Sequence, residues 1–86
     1  MRYDLEYLES VVQEDIPALP RTARERIRRE IELKLTTHPI EFGKPLQYSL
    51  KGARRLRVGD YRVVFRIEGR VVVVLKIGHR KDVYEP

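Results

Sequence analysis

In the stretch RRLRVGDYRVVF, Arg54 to Phe65, arginine alternates with apolar residues on both sides of a Gly-Asp turn. Guanidinium groups stay charged at neutral pH and offer paired donors to phosphate oxygens, so arginines gathered in one place suit a polyanion. A strand repeats every two residues, which sends Leu56 and Val58 to one side and Arg55 and Arg57 to the other. Beyond the turn Tyr61, Val63, Phe65 and Ile67 share a face, and Arg62, Val64 and Arg66 oppose them. If both apolar faces enter one core, the arginines collect on a single outer surface. Farther on, IGHRKDVY supplies His79, a residue type suited to proton transfer, then Arg80 and Tyr84.

The rest of the chain must hold that surface. With 86 residues and 10.2 kDa it suits one domain, residues 1–86, with no room for a separate cofactor domain. It has no cysteine and only two well-separated histidines, so neither a disulfide framework nor a metal shell is expected, and no cofactor. Val71 to Leu75 is the longest apolar run, far short of a membrane span, and MRYDLEYLE lacks the apolar core of a signal peptide; the expected location is the cytoplasm. Net charge is +5, unevenly spread. Residues 1–20 carry one base against five acids, whereas residues 44–81 carry eleven bases against Asp60 and Glu68. That asymmetry suits a polyanionic partner, nucleic acid before membrane, although a basic balance also serves plain solubility.

RYDLEYL reads as a short strand with Tyr3, Leu5 and Tyr7 on one face, leading to a helical segment around Glu9 to Ile16 that Pro17 and Pro20 end. Thr22 and Glu25 offer a capping box for a long helix whose buried stripe is Ala23, Ile27, Ile31 and Leu35. The charged residues between them form a solvated face, and Pro39 stops the helix near Thr37 and His38. From Pro39 to Gly52 an irregular connection turns Phe42, Leu46 and Leu50 inward. A meander follows over about 53–58, 61–68 and 70–77, with tight hairpins at Gly59-Asp60 and Glu68-Gly69. RVVVVLKI is apolar on both faces for most of its length, as a central strand would be. The expected fold is α+β in the order β-α-α-β-β-β, two helices on one face of a largely antiparallel sheet. Burying Arg55, Arg57, Arg62 and Arg66 unpaired would be costly, so the other face should be open to water or ligand.

LKGARRLRVGDYRVVFRIEGRVVVVLKIGHRKDVY resembles the C-terminal half of RelE-type toxins in the RelE/ParE toxin-antitoxin superfamily, and LPRTARERIRREIELKLTTHP resembles their second helix. The resemblance implies the fold just derived and the activity of a metal-independent endoribonuclease, an mRNA interferase that cuts messenger RNA in the ribosomal A site. A ribose 2′-hydroxyl would attack the adjacent phosphate, leaving a cyclic phosphate and a free 5′-hydroxyl. It also implies a cognate RelB-like antitoxin, which rather than this chain would contact operator DNA, with ribosome and mRNA as the other partners and no membrane. By residue, the likeness assigns Arg62 to the phosphate, Arg80 to the leaving group and Tyr84 to substrate positioning or stacking. Arg55 stands where RelE-like toxins carry a lysine proposed as the base, and arginine is too basic for that task. His79, Lys51, or the ribosome and RNA themselves are the alternatives. Arg57, Arg66, Lys51, Arg54 and Lys76 are candidate phosphate contacts. For Arg62 the structural alternative is a surface ion pair with Asp60 or Glu68; for His79 it is a backbone hydrogen bond at a strand end; Tyr84 could instead anchor the tail. Two other functions share the fold: a ParE-like inhibitor of DNA gyrase, and a non-catalytic RNA-binding or inactive toxin homologue.

Overall fold

A computed structural model describes residues 2–46 and 52–83. The elements run β1 (Asp4–Tyr7), α1 (Val11–Asp15), α2 (Arg21–Glu30) with a wider turn over Ile31–Leu35, α3 (Pro39–Phe42), β2 (Lys44–Pro45), β3 (Arg54–Val58), β4 (Tyr61–Glu68) and β5 (Val71–His79). One five-stranded sheet has the order β1-β5-β4-β3-β2. β1 is parallel to β5 and every other pair is antiparallel, so the first and last strands lie side by side. The expected α+β architecture holds, with one short helix and one two-residue strand added where an irregular connection was read.

The helices cover one face. Val11 of α1, Leu19 of the connection, and Ile27, Ile31 and Leu35 pack on Leu56, Val58, Val63, Phe65, Val72, Val74 and Ile77. Each such side chain contributes about 1.5–3 kcal/mol on leaving water. The apolar stripe on α2 recurs every four residues, whereas an α-helix turns every 3.6, so successive members drift by about 40°. The wider turn over Ile31–Leu35 offsets that drift, and both its ends, Ile31 and Leu35, are buried. A similar turn in α1 is closed by the Ile16 N–H donating to the Val11 carbonyl at 2.9 Å.

Three local expectations are corrected. No capping box forms: Pro20 occupies the cap position, the Arg24 N–H donates to its carbonyl at 2.9 Å, and Glu25 instead accepts from Arg28 at 2.9 Å. Thr22 thus lies inside the first turn, where its hydroxyl cannot cap. Phe42 does not point inward but is 46% exposed. Pro39 starts a helical turn in place of a loop, and Phe65 already fills the space beneath it: a Cβ on Gly43 would overlap the Phe65 ring. The second hairpin turns on Gly69-Arg70, one residue later than read, with Gly69 at φ 61°. Leu50 lies outside the described residues.

β5 breaks its own alternation. Val64 pairs with Lys76 but Phe65 with Val74, so Leu75 is an extra residue, a bulge. Such an insertion reverses which residues face which side from that point on. Val72, Val74 and Ile77 therefore all face the helices, while Lys76 and Gly78 face away.

Candidate functional site

The helix-free face is organised in cross-strand rows. One row is Lys44, Arg55, Val64, Lys76; the next is Arg57, Arg62, Gly78. Placing Arg57 directly opposite Arg62 is unfavourable for the sheet by itself, since like charges repel across a pair. The predicted segregation of arginines from apolar side chains is thus present at Arg55, Arg57, Arg62 and Arg66.

Arg62 is nevertheless only 8% exposed. Its Nη1 donates to the Gly59 and Tyr61 carbonyls, each at 3.1 Å, which ties the guanidinium to the hairpin it follows. Gly59 makes that hairpin possible with φ 60°. On the other side of the row the chain doubles back after β5. Asp82 and Val83 N–H groups donate to the His79 carbonyl at 2.7 and 3.1 Å, and Val83 is buried against Gly78, where a Cβ would come within 3.0 Å of the Val83 Cγ2. A glycine at 78 leaves room for this turn beside Arg62.

The remaining predicted residues separate. Arg54 lies on the helix side, where its Nη2 donates to the Ile40 and Gly43 carbonyls at 3.0 and 2.9 Å and closes the end of α3. Arg66 donates to Glu68. Lys76 reaches round the β5 edge to Asp15 at 3.2 Å, and Asp15 also accepts from the Ile77 N–H at 3.0 Å, satisfying a strand edge that β1 is too short to cover. The Arg80 side chain is exposed, its Nε 4.0 Å from Asp60, while its N–H donates to the Asp60 carbonyl at 2.7 Å. Lys51 and Tyr84 lie outside the described residues.

His79 is not brought to Arg62. It pairs with Tyr61 on the helix face, rings 5.6 Å apart and nearly perpendicular, in a cleft of about 230 Å³ with Glu14, Asp15 and Lys76. Its Nδ1 accepts the Lys81 N–H at 3.2 Å, so the neutral ring carries its proton on Nε2. Among the described residues, no three His, Asp or Glu side chains gather as a metal shell would require.

Residues 4–84 match the family described as the ParE toxin of the type II toxin-antitoxin system parDE. The chain belongs to this family. Within it, the toxin is 42% identical over 52 residues to Toxin RelG of Mycobacterium tuberculosis, an alignment spanning 58% of this chain and 60% of that relative. Its fold matches the M. tuberculosis RelBE2 toxin-antitoxin complex with a TM-score of 0.84 at 28% identity, covering 93% of each chain. The intact Escherichia coli RelBE toxin-antitoxin complex matches with a TM-score of 0.71 at 25% identity, over 90% of this chain and 95% of that one. The toxin thus has the RelE fold. Sequence inspection missed one feature of its surface, the outward ring of Phe42; the signal was Pro39, which favours a helical first turn over a loop.

Proposed function

We propose that this toxin is a ribosome-dependent endoribonuclease that cuts mRNA in the A site without a metal. The reading rests on the row formed by Arg57 and Arg62, two like charges held side by side on the face that no helix covers. A phosphate between them turns an unfavourable contact into a favourable one. In the reaction the 2′-oxygen loses its proton and bonds to phosphorus, the bond to the 5′-oxygen breaks, and that oxygen takes up a proton. Charge builds on the phosphoryl oxygens in between, where prepositioned donors count most. Arg62 is held by two carbonyl acceptors before substrate arrives, so little reorganisation opposes its use. Arg80 is exposed and takes the leaving-group side, with Tyr84 positioning the substrate. Arg55 serves as a phosphate contact rather than as a base. His79 lies at the end of β5 on the other face of the sheet, so its use as a base requires the end of that strand to turn over. Otherwise proton removal falls to Lys51 or to the ribosome and RNA.

The toxin acts in the cytoplasm and is held inactive by a RelB-like antitoxin, the partner type in the complexes it resembles. Operator contact is left to that antitoxin. Primer extension on a defined mRNA in ribosomes with an empty A site tests the reading: a new 5′ end within the A-site codon supports it. No new end from folded protein refutes it. The description of the matching family as ParE favours a second reading, inhibition of DNA gyrase, which a supercoiling assay separates from the first. RNA binding without cutting or gyrase inhibition would identify an inactive homologue.

A further inference from the structure

Phe42 has no place in the core, yet it is not isolated. Its ring stands perpendicular to that of His38 with centroids 6.2 Å apart, and the Lys34 ammonium lies 5.1 Å from its centroid. Lys34 is itself held by Glu30 at 2.8 Å on the helix. From this ring a groove of about 150 Å³ runs to the β3 edge, lined by Lys44, Leu56 and the two arginines Arg55 and Arg57. Among the described residues no carboxylate lines it. Arg55 and Arg57 belong to both the groove and the helix-free face, so the two are continuous over the edge of the sheet. An exposed aromatic ring bordered by cations provides the two things single-stranded nucleic acid uses: a surface on which a base stacks and charges for the phosphates beside it.

We infer that this groove is a nucleotide subsite, in which Phe42, its ring buttressed edge-on by His38, stacks a base of single-stranded RNA while Lys44 and Arg57 hold the flanking phosphates. The inference rests on RNA being the substrate, and it extends the RNA path from the Arg57 and Arg62 row across β3 toward α3. A base on Phe42 displaces the Lys34 ammonium from the ring or sandwiches against it, and either keeps a cation next to a phosphate.

The chain contains no tryptophan, so Phe42→Trp places a lone reporter in the groove. Titrating it with a short mixed-sequence oligoribonucleotide gives saturable quenching of indole fluorescence. By anisotropy of a labelled oligoribonucleotide, Phe42→Ala and Phe42→Leu each bind about tenfold more weakly than the unaltered toxin, with the salt dependence unchanged. Lys44→Ala lowers the slope of log affinity against log salt by about 0.7. Because the Phe42 ring is exposed, thermal melts of its variants stay close to that of the unaltered toxin, which separates lost stacking from lost folding. If RNA binds the unaltered toxin but Phe42→Ala and Phe42→Leu bind equally well and the indole is not quenched, the subsite is wrong while the RNA reading stands. If the unaltered toxin neither binds nor cuts RNA, the underlying reading fails and takes the subsite with it. Quenching by a poly-glutamate peptide, with none by RNA, would overturn the assignment in favour of an acidic strand added to β3.

Discussion

The two ends of the helix-free face differ in how their charges are arranged. At the β3–β4 hairpin end Arg57 faces Arg62, and the neighbouring row adds Lys44 and Arg55, with Lys76 held by Asp15. At the opposite end Arg66 donates to Glu68, and β1 contributes Asp4 and Glu6 opposite Val71 and Val73. One end sets an arginine beside a carboxylate; the other sets arginine against arginine across the ladder. Folding alone selects the balanced arrangement, because like charges across a ladder cost stability. On the proposed reading, the Arg57 and Arg62 row is where an anionic ligand offsets that cost.

The largest effect expected from that difference is on cleavage. Arg62→Ala lowers the rate in the ribosome assay by about 10²-fold, on the order of 3 kcal/mol of transition-state stabilisation. Because Arg62 is buried and bonded to two carbonyls, its loss also lowers the melting temperature, so Arg62→Lys is the sharper probe. Lysine keeps the charge but not the fork, and cleavage by a folded Arg62→Lys variant falls at least about tenfold. Full activity in both variants would dissolve the distinction between the two ends.

Asp15 sits on the border of the basic end. It neutralises Lys76 and accepts the Ile77 N–H, so Asp15→Ala lowers unfolding free energy by about 2 kcal/mol in urea titrations. The same change releases Lys76, and affinity for single-stranded RNA rises as stability falls. A variant that loses stability and RNA affinity together would show that Lys76 contributes nothing to the basic end.

Arg57→Ala separates stability from function in the other direction. Removing one member of a repelling pair raises stability by about 0.5 kcal/mol, while the salt slope for single-stranded RNA falls by about 0.7. A destabilised Arg57→Ala would mean that Arg57 packs productively, not that it waits for an anion.

Much of this could be read before any coordinates. The alternation on either side of Gly59 placed Leu56, Val58, Val63 and Phe65 in the core and the arginines opposite them, because strand periodicity leaves little choice once one face is buried. The four-residue stripe on α2 was equally plain. What could not be read was the phase of β5. Val71 to Leu75 is apolar on both faces, so nothing in the residue types marks where an extra residue enters. Without the bulge at Leu75, simple alternation would set His79 on the same face as Val73, which is the face of Arg62; with it, His79 turns to Tyr61 and the helices. Arg54 was illegible for a different reason. As an arginine in a run of arginines it looks like its neighbours, and only the arrival of α3 above the β3 edge supplies the carbonyls that hold it.

Arg66 tests the balanced end, where the smallest effects are expected. Its partner Glu68 is more than half exposed, and an exposed ion pair of this kind contributes about 0–1 kcal/mol. Arg66→Ala therefore changes stability by less than about 0.5 kcal/mol. Its effect on cleavage should also be small, within about threefold, because the charge removed was already offset by Glu68 and stands two strand residues beyond Val64, away from Arg57 and Arg62. Glu68→Ala sharpens the point: it unmasks Arg66, and RNA affinity rises where Arg66→Ala leaves it nearly constant. If instead Arg66→Ala costs as much cleavage as Arg57→Ala, the ion pair opens when RNA binds, and the whole arginine face rather than its hairpin end forms the substrate path.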